Sequence, residues 1–334
     1  MIRRSRVAEV ATSIAILLVT GTVIGLSATA HWNRASAVPV ERGDLDVPPV
    51  FSAHERVILE GVTGGEGVPV LCYHYFRPGL TVRRLAQVLG AVFLNLPTIA
   101  DKDYWTTTVP AFERQMAYLA ERGFRTIGLD ELVDWMDGRG DIPPRSVVIT
   151  IDDGDRSFVD HAVPVLRRHG YTATVFLITG QAGDPQWNDL DLVDWHTLRE
   201  LERDGVIRVE SHTHQMHSKV RSRGRHVPRF LLEYRDAGGL VSLTSPLGLD
   251  LRDSRHSIRR ELGHESRFLA WPFGAGSVEV DALARTLGFR RTATLWPYRN
   301  SRPEEGSASL RPLGRYAITA RTSQRAFQTM MGED

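Results

Sequence analysis

Two adjacent carboxylates stand at the end of a strongly apolar stretch of this sequence. Residues 147–151 read Val-Val-Ile-Thr-Ile, and Asp152, Asp153 and a glycine follow them. Successive side chains of a strand point to opposite faces, so the two carboxylates are expected to point in different directions. One can then bind a cation while its neighbour accepts a proton. The alternative is a turn or a helix N-cap, because Asp-Asp-Gly is also common there.

Three histidines follow a second predicted strand, in the sequence Ser-His-Thr-His-Gln-Met-His that contains His212, His214 and His217. Their density, together with the carboxylate pair, indicates a first-row metal site. Which two would bind is open: His212 and His214 share a face if the strand continues, whereas His212 and His217 meet only if the chain turns. Two histidines and one carboxylate would leave a position for water, as in a catalytic zinc site.

Strands that alternate with helices must position these groups. The pattern begins near Val68 and predicts an α/β fold with a parallel sheet. About seven strand–helix units in this length suit a TIM-like barrel better than a small open sheet. The carboxyl ends of parallel strands gather at one edge, where both polar clusters would meet. A third predicted strand ends at the same edge in Trp-Pro-Phe-Gly, residues 271–274.

The N-terminal part of the chain has the pattern of an export signal. Residues 10–30 carry no charge, follow a segment with three arginines, and as a helix would reach about 30 Å, the thickness of a bilayer core. The basic flank predicts that the rest of the chain lies outside the cytoplasm, either anchored in the membrane or secreted after cleavage. The predicted organisation is a signal anchor or signal peptide at residues 1–30, a linker at 31–67, and a catalytic domain at 68–330.

Charge and cysteine content exclude some classes of protein. The chain has 41 Lys and Arg against 40 Asp and Glu, so its net charge of +1 would not steer it to nucleic acid. The basic segment 218–230 lacks interleaved aromatic residues; it is interpreted as a solvated loop or as a groove for an anionic polymer, and no nucleic-acid partner is predicted. The single cysteine, Cys72, excludes a disulfide framework and a multi-cysteine zinc site.

These motifs together resemble a known family. Thr-Ile-Asp-Asp-Gly, the histidine segment and Leu-Ala-Trp-Pro-Phe-Gly occur in the order found in polysaccharide deacetylases with a NodB-type domain, carbohydrate esterase family 4. The chain is most similar to the branch that deacetylates poly-β-1,6-N-acetylglucosamine. That branch has a Tyr-His pair in its first strand, matched by Tyr73 and His74, and the spacing of His212 and His217. The resemblance extends over roughly residues 68–318.

The resemblance implies a role for each motif. Asp153, His212 and His217 would bind a divalent metal, with Zn²⁺ expected first and Co²⁺ or Ni²⁺ as alternatives. Asp152 would be the general base, taking a proton from a water whose pKa the metal lowers toward about 7. The fold would be a distorted TIM-like barrel of the (β/α)7 type.

The Trp-Pro-Phe-Gly motif is expected to face the substrate. The backbone N–H of Phe273 would help to hold the oxyanion, because Pro272 has no N–H to donate. Trp271 and Phe273 would offer an apolar stacking surface to a sugar ring. The alternative for Trp271 is ordinary core packing.

One departure from the family concerns the general acid. Most members place a catalytic histidine near the C-terminus, but this chain has none beyond His264. The corresponding stretch offers Arg311, Arg315 and Tyr316, and an arginine is a poor acid because it stays protonated. His74, at the end of the first strand, is therefore the candidate acid.

A second departure concerns the orientation of the base. Most members have an arginine two residues before the motif proline, where this chain has Ala270. Asp152 must therefore be oriented by a different group.

The predicted function is removal of N-acetyl groups from N-acetylglucosamine residues of an extracellular or cell-envelope polysaccharide. The predicted partners are that polysaccharide, a membrane contacted through the N-terminal helix, and machinery for exopolysaccharide synthesis or export. Two rivals stay open, because a fold does not fix a substrate. One is a non-catalytic glycan-binding protein on the same fold; the other is a metal-dependent hydrolase of another acyl or amide substrate. The polysaccharide itself is also open, with deacetylation of peptidoglycan or chitin-type chains as the alternative.

Overall fold

A computed structural model describes residues 67–79, 104–302 and 311–333. The predicted membrane helix at residues 1–30 and almost all of the linker lie outside them, as does most of the segment 80–108. Among the helices so described, none has the length and apolarity that a membrane span requires.

The described residues form strands that alternate with helices over most of their length, as predicted. The strands are β1 Val70–Tyr73, β2 Tyr75–Arg77, β3 Thr106–Thr108, β4 Arg125–Thr126, β5 Ser146–Asp153, β6 Ala173–Leu177, β7 Ile207–Ser211, β8 Lys219–Ser222, β9 Arg225–Pro228, β10 Phe268–Ala270, β11 Arg291–Ala293 and β12 Tyr316–Ala317. The helices are α1 Val109–Glu121, α2 Leu129–Met136, α3 Val163–His169, α4 Trp195–Arg203, α5 Pro246–Leu262, α6 Val278–Thr286 and α7 Gln324–Met330. A single π-helical turn, Phe158–Ala162, leads into α3.

The principal sheet is parallel, with strand order β11-β10-β7-β6-β5-β1-β12, and β4 pairs with the start of β5. A parallel bridge joins Ala293 of β11 to Leu313, and three residues later Tyr316 of β12 pairs with Leu71 of β1. Strands from the two ends of the sheet are therefore close to one another. The sheet curls, as the predicted barrel requires.

Side chains from widely separated strands pack together on the inner face of this curl. Val70 of β1, Val148 of β5, Phe176 of β6 and Ala293 of β11 belong to one buried cluster. The other face carries the larger apolar cluster, which includes Ile149 and residues of the surrounding helices. Both faces of β5 are therefore covered, which explains its continuous apolar sequence.

Local signals in the sequence fix where the helices begin and end. Helix α5 begins after Ser245, whose hydroxyl accepts a hydrogen bond from the Gly248 N–H, and it ends at Gly263 in a left-handed conformation. The Ser211–Ser254 hydrogen bond, 2.7 Å between hydroxyl oxygens, ties this helix to the end of β7. Helix α5 thus supports the strand that carries the predicted metal ligands.

Residues 219–227 do not belong to the compact unit that contains the principal sheet. In this segment, β8 and β9 pair as a hairpin, and Arg223 and Gly224 both have positive φ at the turn. Two consecutive positive φ values are typical of the tight turns that join antiparallel strands. This hairpin lies within the basic segment 218–230, which the sequence left open as a solvated loop or a groove for an anionic polymer.

Candidate metal and catalytic site

The predicted metal ligands meet at the carboxyl ends of β5 and β7. Nε2 of His217 lies 3.2 Å, and Nε2 of His212 lies 3.5 Å, from Oδ1 of Asp153. In a tetrahedral zinc site with bonds of about 2.0–2.2 Å, nitrogen and oxygen ligands are about 3.4 Å apart. The observed separations match that spacing. Of the two histidines between which the sequence left the choice open, the structure places His217 beside Asp153, because the chain turns after His212 with Thr213 at φ 72°.

The surroundings of these three side chains suit a cation. Asp153 Oδ1 is buried and has no hydrogen-bond partner among the described residues. Nδ1 of His212 lies 2.8 Å from the carbonyl oxygen of Ala270, which leaves Nε2 to face the carboxylate. Such a second contact is the usual way in which a protein orients a metal-binding histidine. The residues present therefore fit a divalent metal.

Burial and charge keep His212 and Asp153 in the forms that bind a metal. Burial lowers the pKa of His212 to about 4, so its imidazole is neutral at neutral pH. Burial alone would raise the pKa of Asp153, but the neighbouring imidazoles, His217 foremost, outweigh it and hold that pKa well below its ordinary value. A metal needs neutral imidazole and ionised carboxylate, and both are present.

Tyr75 holds the other oxygen of Asp153. Its hydroxyl donates a hydrogen bond to Asp153 Oδ2 at 2.5 Å. One carboxylate oxygen is thus occupied by the phenol while Oδ1 faces His212 and His217. This contact was not predicted from the sequence, although Tyr75 directly follows the Tyr-His motif.

Asp152 points to the inner face of the curl and is held by an arginine. Nη1 of Arg315 donates to Oδ1 at 2.6 Å and Nη2 donates to Oδ2 at 2.9 Å. Both residues are almost fully buried. Burial would raise the pKa of Asp152, but Arg315 outweighs that effect and keeps the pKa below its ordinary value. Asp152 is therefore an ionised carboxylate in a fixed orientation.

Arg315 is the orienting group that the sequence requires but does not identify. It immediately precedes β12, and its Nε donates to the carbonyl oxygen of Thr294 at 3.1 Å. Two departures from the family were visible in the sequence. Ala270 stands where most members have an arginine, and Arg315 stands in the C-terminal stretch where most members have the catalytic histidine. The sequence does not show that the guanidinium from one place reaches the carboxylate from the other.

His74 and Cys72 complete the surroundings of Asp152. Nε2 of His74 lies 4.0 Å from Asp152 Oδ2, and the thiol of Cys72 donates to the same oxygen at 3.4 Å. The ring of His74 packs against Trp105, with ring centres 4.5 Å apart. Burial lowers the pKa of His74. The structure thus brings the predicted acid and the predicted base into one site.

Aromatic side chains stand around the predicted ligand His217. The ring of Phe273 lies 4.6 Å, and that of Trp187 lies 5.7 Å, from the His217 ring. Phe273 is half-buried and has φ 60°, in the left-handed region that non-glycine residues rarely adopt. Such strain is often found at functional sites, and here it directs Phe273 toward the predicted metal ligands.

The prediction that Trp271 offers a stacking face to a sugar is corrected by the structure. Its side chain is fully buried and stacks on Phe230, with ring centres 4.9 Å apart. Its indole N–H donates to Asp281 at 2.7 Å. A ring that is fully covered by neighbouring side chains offers no surface to a substrate, so Trp271 is a core residue.

His214 and Met216, which lie between the two ligands in sequence, are directed elsewhere. Nδ1 of His214 lies 3.0 Å from the hydroxyl of Thr179, and Met216 is buried in an apolar cluster. The backbone N–H groups of His214 and Gln215 donate to the carboxylate of Asp250 on α5, at 2.8 and 2.6 Å. These contacts fix the turn that separates His212 from His217.

Comparison with known proteins agrees with the resemblance found in the sequence. Residues 139–292 match the family model described as polysaccharide deacetylase. Curated relatives named poly-beta-1,6-N-acetyl-D-glucosamine N-deacetylase include one from Staphylococcus epidermidis, 29% identical over 170 residues that are 51% of this chain and 54% of the relative. Another, from Staphylococcus aureus, is 26% identical over 163 residues, 49% of this chain and 52% of the relative. The chain spans about half the length of the curated relatives it matches.

Solved structures share the fold. IcaB from Ammonifex degensii aligns with a TM-score of 0.59 and 24% identity, over 80% of this chain and 99% of that one. A de-N-acetylase from Aggregatibacter actinomycetemcomitans aligns with a TM-score of 0.60 and 19% identity, over 79% and 100% of the two chains. The solved structures show that this chain shares their α/β fold. Together with the family model matched by residues 139–292, they confirm the predicted resemblance to the polysaccharide deacetylases.

Proposed function

We propose that this protein is a metal-dependent hydrolase that removes N-acetyl groups from N-acetylglucosamine residues of an extracellular or cell-envelope polysaccharide. A polymer of the poly-β-1,6 type is the favoured substrate, since that is what the names of the curated relatives specify. The observation that carries the proposal is the cluster of Asp153, His212 and His217, with the ionised Asp152 beside it.

Asp153, His212 and His217 would hold the ion, Zn²⁺ in the first place and Co²⁺ or Ni²⁺ as alternatives. A divalent ion bound there supplies a water of lowered pKa and polarises a carbonyl oxygen. Three protein ligands are the number found in catalytic zinc sites, which keep one position for water or substrate.

Asp152 acts as the general base. Its carboxylate is ionised, because Arg315 holds the pKa low, and it is oriented by the two-pronged contact with that guanidinium. Nε2 of His212 is 3.9 Å from Asp152 Oδ2, so the base lies directly beside the predicted ligands. Asp152 accepts the proton of the attacking water.

His74 acts as the general acid. The nitrogen of an acetamide must gain a proton to leave as an amine, and His74 is a titratable group whose Nε2 lies 4.0 Å from Asp152 Oδ2, the same oxygen that His212 approaches. Burial lowers its pKa, so the imidazole is neutral over more of the pH range and must gain a proton before it can act as the acid. If His74→Ala deacetylates as fast as the wild type, this assignment is wrong.

Phe273 provides the contact with the sugar. Its half-buried ring and strained backbone lie beside His217, and its N–H is the proposed oxyanion donor because the preceding Pro272 has none. Trp187, which also contacts the His217 ring, offers the second aromatic surface.

Export and membrane attachment are part of the proposal on sequence grounds. The apolar residues 10–30 with their basic flank support either a single membrane span or a cleaved signal, and both place the domain outside the cytoplasm. Export would place the domain in the compartment where the polysaccharide is synthesised or exported, and contact with that machinery is proposed on this ground. Protease treatment of intact cells tests this: the domain should be digested without lysis, and protection until lysis would contradict export.

Acetate release from N-acetylglucosamine oligomers tests the activity. We expect release from β-1,6-linked oligomers that a chelator abolishes and Zn²⁺ or Co²⁺ restores, and that Asp152→Asn reduces while leaving metal content unchanged. Chitin oligomers and peptidoglycan fragments, assayed in parallel, decide the linkage. Binding of oligomers without acetate release under any metal would support the glycan-binding alternative and overturn the proposal.

A further inference from the structure

A second group of metal-binding side chains lies inside the curl of the sheet, next to the proposed catalytic centre. It consists of Cys72, His74 and Asp152, all buried, each of which offers one ligand atom within 4.8 Å of the others. Cys72 and His74 are two residues apart at the end of β1, so both point to the inner face. Asp152 arrives from the neighbouring strand β5.

The spacing of these atoms is close to that of a tetrahedral site. With a zinc–sulfur bond of about 2.3 Å, a thiolate lies about 3.6 Å from a nitrogen or oxygen ligand of the same ion. The Cys72 sulfur is 3.4 Å from Asp152 Oδ2 and 4.0 Å from Nδ1 of His74. The three side chains therefore need only small movements to share an ion.

We propose that Cys72, His74 and Asp152 form a second, inhibitory site for a thiophilic divalent cation such as Zn²⁺, Co²⁺ or Cd²⁺. The thiol loses its proton to solvent when the ion binds, and the sulfur, one imidazole nitrogen and one carboxylate oxygen become ligands. Soft thiolate favours such ions over Mg²⁺ and Ca²⁺, which prefer oxygen ligands.

Charge sets the order in which the two sites fill. Arg315 neutralises Asp152 through two hydrogen bonds, whereas Asp153 has no guanidinium contact among the described residues. A cation at the Cys72 site must also displace the thiol proton and lies close to that guanidinium. The second ion therefore binds more weakly than the first and acts only when the metal is in excess.

Inhibition follows from which groups the second ion occupies, and this part rests on the proposed function. The ion takes an oxygen of the proposed base and a nitrogen of the proposed acid. Neither can then exchange a proton with water or substrate. An enzyme that needs one ion per chain would lose activity when it binds another.

Cobalt titration of the metal-stripped full chain tests the site without reference to activity. The first equivalent should produce no sulfur-to-cobalt charge-transfer absorption in the near ultraviolet, and further equivalents should produce it. In Cys72→Ser, which keeps the size and the hydrogen-bond donor, that band should be absent. The affinity of Cys72→Ser for the second ion should be lower by about 10–100-fold or more. A loss of about that size is usual when only a residue that supports a metal ligand is removed. No band in the wild type, or the same band in Cys72→Ser, overturns the proposal.

The matching activity measurement separates this proposal from the function on which it rests. Acetate release by the wild type should fall as Zn²⁺ exceeds one equivalent, while the same excess of Mg²⁺ has no effect. Cys72→Ser, compared with its own rate at one equivalent, should resist excess Zn²⁺. Equal inhibition of both proteins overturns the inhibitory role. If no glycan releases acetate but the cobalt band still depends on Cys72, the proposed function fails and the site stands.

Discussion

Asp152 and Asp153 differ in what surrounds them, and that difference suits them to different tasks. Asp152 faces a guanidinium that occupies both of its oxygens, whereas Asp153 has one oxygen bound by a phenol and the other directed at two imidazoles. An arginine partner keeps a carboxylate ionised and fixed, which a base needs. An oxygen that faces two imidazole nitrogens is instead suited to a cation.

Replacing Arg315 should impair the base without removing the metal. Arg315→Lys keeps a positive charge but cannot make the two-pronged contact with Asp152. We expect acetate release to fall about 100-fold or more, the usual contribution of a positioned general base, while cobalt binding at Asp153 stays the same. Kinetics and metal content of the purified protein measure both.

Arg311→Gln is the matched control for this variant. Arg311 lies in the same segment, but its guanidinium stacks on Tyr298 and is exposed. An equal loss of activity in both variants, or loss of the metal from Arg315→Lys, would show that the effect is not on the base. Arg315→Ala is expected to lose about 3–5 kcal/mol of stability as well, because it leaves Asp152 buried and unpaired.

Tyr75→Phe should weaken metal binding. The substitution removes the hydroxyl that holds Asp153 Oδ2, and loss of such a supporting hydrogen bond usually costs about 10–100-fold in metal affinity. Competition with a chromophoric chelator measures the affinity. Tyr73→Phe is the control, because that hydroxyl donates to Gln115 on α1, on the helix side of the sheet. Wild-type affinity in Tyr75→Phe would show that the phenol does not position the ligand.

At this scale, sequence predicts the residues whose partners are close in the chain. The histidines after one strand and the carboxylates at the end of another indicated a metal site, whereas the choice of Asp153, His212 and His217 came from the resemblance to the family. Arg315 could not be named, since it contacts Asp152 across 163 positions of sequence. Trp271 had two possible environments, and only the positions of Phe230 and Asp281 in space decide between them.

At the scale of elements, the turn between His212 and His217 depends on helix α5. Asp250 accepts hydrogen bonds from two successive backbone N–H groups of that turn. Gly180, after β6, approaches it from the other side: its N–H donates to the His214 carbonyl, and a Cβ at this position would lie 2.5 Å from that oxygen. The spacing of the ligands is therefore set by two neighbouring elements as well as by the turn itself.

Asp250→Asn should loosen this turn. An amide replaces one acceptor oxygen with a donor, which leaves a backbone N–H of the turn without its partner at a cost of about 1–3 kcal/mol. We expect faster hydrogen exchange at residues 213–216 and weaker metal binding. Asp253→Asn, on the same helix but exposed, should change neither property. Unchanged exchange in Asp250→Asn would contradict a supporting role for α5.

The alternation of strands and helices was predicted well, because apolar runs and glycine stops mark both. The hairpin of β8 and β9 was missed. Its strands carry Lys219, Arg221 and Arg225 rather than an apolar run, and the turn at Arg223 and Gly224 requires positive φ values that sequence does not reveal for arginine. Charged, exposed strands give little periodic signal.

At the scale of the whole parallel sheet, the curl is what joins distant sequence into one site. Leu313 bridges to β11, and Tyr316 pairs with β1, so the segment between them carries Arg315 to the inner face next to Asp152. Periodicity predicts parallel strands but not which strands are neighbours. The barrel-like curl could thus be expected from the number of units, whereas the contacts that it creates could not.

The same sheet buries a titratable group whose effect on stability can be measured. Glu210 of β7 is buried, and burial raises its pKa to about 7, although its carboxylate accepts hydrogen bonds from Ser266, Arg267 and Phe268. The folded protein therefore holds a proton between about pH 4.5 and 7 that the unfolded chain releases. The contribution of Glu210 to stability is present below about pH 4.5 and is lost as pH rises to about 7.

The titration of His212 changes stability in the opposite direction over much of this pH range. The pH dependence of the wild type alone therefore does not isolate the effect of Glu210. Burial lowers the pKa of His212 to about 4, and the unfolded chain then binds a proton that the folded protein does not, which makes stability rise with pH between about 4 and 6.5. Glu210→Gln retains His212 but removes the titrating carboxyl group. The difference in stability between the two proteins should therefore change by on the order of 3 kcal/mol across pH 4.5 to 7, in favour of the variant at higher pH.

Urea unfolding of both proteins, stripped of metal, at each pH measures this difference. A difference that stays constant with pH would show that Glu210 titrates normally in the folded protein.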